Sequence, residues 1–237
     1  MAGRGGAGSS AARMGQQQRA AERRARQGLA GKVLPAAAVG VLVLWAALGA
    51  AGLVLGLVLL AGAGWKLFRP AGASSWSKGA AGERRTADLM RALEKDGWIA
   101  LHDRAVPGSK ANLDHLLISP RGEVAYVDSK SWTSSKSKLR LQDGELWYGR
   151  YPQTRALQTV AWEAGQASRL LGVPVTAYVA VHGAAVPYGQ LHLQDVTVMN
   201  AKTLVRHLRN RAPAPGPAGA IPHQLARRAE QLLPPAA

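Results

Sequence analysis

The sequence predicts an α/β sandwich, a mixed central β-sheet flanked by helices, preceded by one transmembrane helix. Three observations predict it. An uncharged apolar run extends from Val33 to Trp65, longer than the roughly 20 residues a membrane-spanning helix needs. Behind it, short apolar segments with the two-residue period of strands alternate with longer amphipathic ones. Their order is helix, three or four strands, helix, strand, strand, helix, which stacks helices on both faces of one sheet.

Taken from the N-terminus, residues 1–32 read as a disordered basic arm. Gly, Ala, Ser and Arg dominate as far as residue 15, a composition that cannot bury a core. Residues 16–27 carry enough Arg to form a short helix against lipid headgroups. The run that follows, taken as a transmembrane segment over 33–66, has three readings. A single helix centred on Val39–Leu60 would place Trp65 near the headgroups, where indoles prefer to sit. A tight hairpin broken at Gly49-Ala50-Ala51-Gly52 would have arms of about 15 residues, short for a full crossing. A signal peptide would have a shorter apolar region and a shorter leading arm. The single pass through the cell membrane is the leading expectation. Its N-terminal flank carries Arg19, Arg23, Arg24, Arg26 and Lys32, against Lys66, Arg69 and Lys78 beyond it. A single span would then leave the following domain outside, whereas a hairpin would keep both ends inside. The side of the membrane stays open.

Residues 67–78 read as a linker, 79–211 as the folded domain, and 212–237 as a Pro/Ala-rich linker with a terminal helix. Within the domain, Ala80, Ala87, Leu89, Met90 and Leu93 give 79–95 a helical stripe, stopped at Gly97. Residues 98–102 form a strand and 103–111 a polar loop. Strands over 113–119 and 123–128 form a hairpin around Pro120-Arg121-Gly122. Asp143-Gly144 turns a second hairpin, 139–142 with 145–148. A helix over 154–171 ends at Gly172, ahead of Pro174. Buried strands over 175–181 and 195–199, then a helix over 201–209, complete the domain.

Four residues in this frame read as a site, Glu83, Asp114, Asp128 and Lys130, and folding alone gives no reason to put the last three at strand ends. Asp114 interrupts Asn112-Leu113-Asp114-His115-Leu116-Leu117-Ile118, and Asp128 and Lys130 end Val124-Ala125-Tyr126-Val127-Asp128-Ser129-Lys130. Asp128 and Lys130 are two apart, so a strand points both to one face. Paired carboxylates hold Mg²⁺ (or Mn²⁺), and a neighbouring lysine positions water and offsets phosphate charge, which is the equipment of phosphodiester hydrolysis. Asp114, Asp128 and Glu83 are the metal-ligand candidates, and the Ser129 carbonyl is a further oxygen. Taken singly, Glu83 also fits an ordinary first-turn acid, and Asp128–Lys130 a plain ion pair. His115 alternates to the opposite face from Asp114 and reads as a packing residue.

Gly82-Glu83-Arg84-Arg85, Val106-Pro107-Gly108-Ser109 with Asn112 to Ile118, and Val127-Asp128-Ser129-Lys130-Ser131-Trp132 together resemble the nuclease-related domain (NERD) family, part of the PD-(D/E)xK nuclease superfamily. The resemblance covers about Gly79 to Leu171. It implies a restriction-endonuclease-like core, Mg²⁺ dependence and cleavage of nucleic acid. Asp114 matches the central aspartate, Asp128 and Lys130 the (D/E)xK pair, and Glu83 the helical glutamate. The pair begins here with Asp, where Glu is commoner.

Partners follow the charge. The chain has a formal net charge of +16, which favours polyanions or an anionic bilayer; nucleic acid, with DNA preferred, and the lipid bilayer are the expected partners. Lys110, Lys136 and Lys138, with Arg104 and Arg140, are candidate phosphate contacts, and Trp132 a candidate to stack on a base. One of Gln158, Glu163 and Gln166 is expected to face the site. With no cysteine, disulfides and thiol chemistry are excluded. No Ser-His-Asp arrangement, HExxH, P-loop or dinucleotide fingerprint occurs. A nuclease is the leading function; a catalytically silent, membrane-tethered nucleic-acid-binding domain is the alternative.

Overall fold

The computed structural model describes residues 7, 9–68, 75–211 and 220–236. Two compact units emerge: Arg13–Ser74, and Met1–Ala12 together with Ser75–Ala237. Of the expected linker at 67–78, residues 69–74 lie outside the described residues, while 67 and 68 end the first helix and 75–78 form the first turn of the next, which starts four residues earlier than expected. Residues 212–219 also lie outside the described residues.

The first unit is the bulk of helix α1, Ser9–Phe68. It is long and apolar enough to cross a membrane, by length and composition. It is not one straight rod. Gly49 has φ 58° and ψ −138°, a conformation that side chains forbid and glycine permits. There the chain doubles back. A Cβ added to Gly52 would lie 1.9 Å from the Leu44 carbonyl oxygen, and one on Gly56 3.1 Å from Val41. Residues 41 and 56 would stand about 22 Å apart along a continuous helix. The backbone is therefore that of the hairpin reading, with its turn at the first glycine of the Gly-Ala-Ala-Gly break. Nor is the N-terminal arm irregular from residue 9 onward: alanines and long polar side chains carry the helix back to Ser9.

In the second unit, α2 (Ser75–Lys95) precedes β1 (Ile99–Ala105), β2 (Asn112–Ile118) and β3 (Val124–Ser131). A small three-stranded sheet follows, β4 (Leu139–Gln142), β5 (Glu145–Tyr148) and β6 (Tyr151–Pro152). Then come α3 (Thr154–Leu171), β7 (Val175–His182), β8 (Gln190–Leu193), β9 (Val196–Asn200), α4 (Ala201–Arg211) and α5 (Ala220–Leu232). The main sheet has six strands in the order β1-β2-β3-β7-β9-β8. Its centre, β3, β7 and β9, is parallel, and the flanking pairs are antiparallel. The expected α/β sandwich with a mixed sheet is what forms.

Strand alternation builds two cores. Leu116, Tyr126, Val179 and Val198 face Leu157, Val160 and Ala167 of α3 and Ala229 of α5. Leu117, Val127, Ala180 and Met199 face Met90 and Leu93 of α2 and Leu204 and Leu208 of α4. Gly172 caps α3 in the left-handed region at φ 66°, donating its N–H to the Ser168 carbonyl.

β1 runs three residues further than the sequence suggests, to Ala105. Pairing with β2 continues to Ala105↔Asn112, and the C-terminal tail holds the other edge. The Ala105 amide donates to the Pro234 carbonyl, and the Ala236 amide to that of Asp103. Arg104, expected on a phosphate-binding loop, is instead buried. Its guanidinium donates to the carbonyls of Leu233 (2.6 Å) and Glu230 (3.1 Å) at the end of α5. That closes the orphan carbonyls of the helix terminus.

Candidate active site

The site grows from the place where β2 and β3 part. Their ladder ends at His115↔Val127; Asp114 and Asp128 lie one residue beyond. Both share the α3 face of the sheet with Tyr126, as the two-residue period requires. Asp114 is half-buried, and its Oδ2 accepts the Ser129 amide at 2.8 Å. Lys130 Nζ donates to Asp128 Oδ1 at 2.8 Å. Asp128 Oδ2 is buried with no hydrogen-bond partner among the described residues. A buried carboxylate oxygen left open is costly unless something positive comes to it.

The electrostatics say the same. Burial pushes the Asp114 carboxyl well above its usual range, and the charges of Asp128 and Glu83 push it further. Glu83, on α2, rises to about 7 through burial and the neighbouring Asp103 and Asp128. Burial opposes the Lys130 ammonium, but Asp128, by charge and hydrogen bond, raises it to about 12. Glu83, Asp114, Asp128 and Lys130 are thus within electrostatic reach of one another, with Lys130 and Asp128 in direct contact.

Two further acids join this group. Of the three candidates on α3, Glu163 is the one facing in: it is buried and accepts the Tyr126 hydroxyl at 2.7 Å. Burial raises its carboxyl to about 7, with Asp128 adding and Lys130 opposing. Gln158 is exposed. Asp103, hidden in what reads as a polar loop, has φ 52° and adds negative field at Glu83. Only its position opposite Asp114 across two strands could have signalled it. Its carboxylate accepts the Ser10 amide and hydroxyl, both at 2.7 Å, and the Ser9 hydroxyl at 2.5 Å.

The opposite face of the same strands holds a different polar chain. His102 Nδ1 meets His115 Nδ1 at 2.8 Å, His115 Nε2 meets Ser129 Oγ at 3.1 Å, Ser129 Oγ donates to Thr86 Oγ1 at 2.8 Å, and Thr86 Oγ1 meets His182 Nε2 at 2.7 Å. His115 is thus a packing residue.

Lys110, Lys136 and Lys138 are exposed on loops, and Arg140 lies 5.5 Å over the Trp147 ring. Trp132 does not present a free face: it is buried and stacked on Tyr148 at 5.4 Å. The apolar core between the two sheets claims it ahead of any base. A separate pocket lined by Trp98, Arg121, Tyr178 and Arg211 opens at the other end of β3 and β7 and contains none of the cluster.

As a metal centre the residues fit in part. The open Asp128 oxygen and the repelled Asp114 are what a cation relieves, and Mg²⁺ accepts few protein oxygens and keeps waters. Among the described residues, however, no three Asp, Glu, His or Cys side chains stand close enough to hold an ion directly. The remaining ligands would have to be waters, the Ser129 carbonyl or substrate oxygens.

The fold and the cluster first define a class: a mixed-sheet α/β domain with an acidic, lysine-bearing group of side chains at its strand ends. The nuclease-related domain (NERD) family model matches residues 78–183. That stretch is therefore a nuclease-related domain, a family whose general context is the PD-(D/E)xK superfamily, and it holds all four residues. No curated protein and no solved structure matches the chain.

Proposed function

We propose that this chain is a membrane-anchored, Mg²⁺-dependent nuclease of PD-(D/E)xK type with a restriction-endonuclease-like core, hydrolysing phosphodiester bonds, with DNA as its preferred substrate. The observation that carries it is the unpartnered Asp128 Oδ2 beside Lys130 and Asp114 at strand ends within a nuclease-related domain. Asp114 and Asp128 would hold the ion, with Glu83 reached through water. Such an ion supplies positive charge that acidifies water and offsets the phosphate's negative charge. Lys130, kept protonated by Asp128, positions the attacking water and stabilises charge growing on the phosphate oxygens. Glu163, raised to about 7, is poised to hold or release a proton near neutrality. Lys110, Lys136 and Lys138 would grip the flanking phosphates. The hydrophobic hairpin of α1 supplies the anchor in the cell membrane.

Full-length protein in detergent, given labelled single- and double-stranded DNA and RNA, tests this. Cleavage should require Mg²⁺ or Mn²⁺, stop with EDTA, and fall steeply in Asp128→Ala. A second reading, a silent binding domain, is favoured by the absence of a three-ligand metal cluster among the described residues. It predicts salt-dependent binding without turnover under any divalent ion.

A further inference from the structure

We propose that α1 enters the bilayer as a helical hairpin from the cytoplasmic side and returns to it, so that the N-terminal arm and the nuclease-related domain share the cytoplasm. This rests on the membrane reading above and goes beyond it in fixing topology and the lipid-facing surface. Four observations carry it.

The reversal at Gly49 is confined to one residue's dihedrals, and the two arms touch at Leu44–Gly52 and Val41–Gly56. Small residues at such crossings let backbones meet closely, as in packed membrane helices. Each uncharged arm, 33–48 and 50–65, is about 24 Å long, most of the depth of a hydrocarbon core of about 30 Å. Val43, Leu48, Val54, Val58 and Leu59 of these arms are exposed, and Trp65 at the exit is the most exposed of the large apolar side chains on the hairpin. An aqueous surface does not carry such a patch; a bilayer covers it.

Sidedness comes from the domain itself. Ser9 and Ser10, ahead of the apolar run, bond to Asp103, which follows it. Both flanks of the run therefore belong to one folded body, and one body cannot lie on two sides of a membrane. Both flanks are also basic, Arg19 to Lys32 before and Lys66, Arg69 and Lys78 after, while the turn Leu48-Gly49-Ala50 carries no charge. Lys and Arg mark the cytoplasmic side.

The chain has no cysteine, so introduced thiols report alone. In cells making the full chain, Met14→Cys and Gln231→Cys should both resist a membrane-impermeant maleimide and both react after lysis. Opposite labelling of the two in intact cells would establish a single pass and overturn the proposal, and labelling of both in intact cells overturns the cytoplasmic placement. The double variant Val41→Cys/Gly56→Cys, oxidised in isolated membranes, should give an intramolecular crosslink seen as a faster-migrating monomer. Crosslinked dimers alone, or none, overturn the hairpin. Release of the protein from membranes by alkaline carbonate defeats the membrane reading itself, an outcome distinct from a single span that resists extraction.

Discussion

The two faces of β2 and β3 make an instructive pair. On one, His102, His115, Ser129, Thr86 and His182 are buried or half-buried, and each polar side chain finds another. On the other, a residue away in sequence, Asp114 is half-buried and Asp128 buried, with the buried Glu163 of α3 packed over them, yet one oxygen has no partner and two carboxyls are pushed up. Burial is comparable; satisfaction is not. A fully bonded network holds a fold together. An unsatisfied one stores a demand for positive charge, which is what a site for chemistry leaves open.

The contrast can be broken most sharply by removing one residue from each face. Asp128→Ala should cut cleavage by on the order of 100- to 1,000-fold in initial rates, and Lys130→Ala by a similar factor while also lowering the melting temperature in calorimetry, because it leaves the Asp128 carboxylate unpaired. Asp114→Asn should abolish activity while raising the metal-free melting temperature, because it removes a buried charge that its neighbours repel. If it lowers both, the carboxylate is a structural ligand and the active-face reading fails. On the other face, His115→Ala should cost about 2–4 kcal/mol in denaturant unfolding, from the cavity and from stranded partners on His102 and Ser129. Whatever protein remains folded should keep most of its activity.

A smaller effect separates the faces by pH. Glu83 is raised from 4.5 to about 7, and Glu163 likewise. The folded state then holds more protons than the unfolded one between those values, so these acids make metal-free stability fall as pH rises from about 4.5 to 7. Burial lowers the His115 and His102 imidazoles below 6.5, so the unfolded state binds more protons there, and their contribution is lost as pH drops below 6.5. The two slopes oppose. In Glu83→Gln/Glu163→Gln the metal-free melting temperature should rise with pH over this window more steeply than in the parent. Saturating Mg²⁺ should stabilise the parent more at pH 8 than at pH 6. The smallest change is expected from Lys136→Ala/Lys138→Ala: a few-fold higher KM, near-normal kcat and a shallower salt dependence.

Much of this was legible in the residues. Alternation in Asn112–Ile118 and Val124–Ser131 fixed the hairpin and hence which face Asp114, Asp128 and Lys130 share. Asp143-Gly144 and Gly172 marked a turn and a helix end that form where expected. What stayed hidden depends on distant chain. β8 is four residues long and half polar, and only pairing with β9 makes it a strand. Arg104 reads as a surface cation until the tail brings it two carbonyls. Trp132 looked available until Tyr148 stacked on it. Glu163, by contrast, was marked by its spacing, three residues after Val160 and four before Ala167 on the apolar stripe of α3, a signal that Gln158 and Gln166 lack. In the apolar run, hydrophobicity on every side erases the period that would tell a rod from a hairpin, and only the backbone at Gly49 decides.

The C-terminal tail has one more effect. β1 is an outer strand, and unpaired outer strands recruit like strands from other chains. Pro234, Ala236 and the end of α5 occupy that margin. Cleavage ahead of α5 that freed the tail would thus do more than trim a terminus: it would uncover a template for self-association.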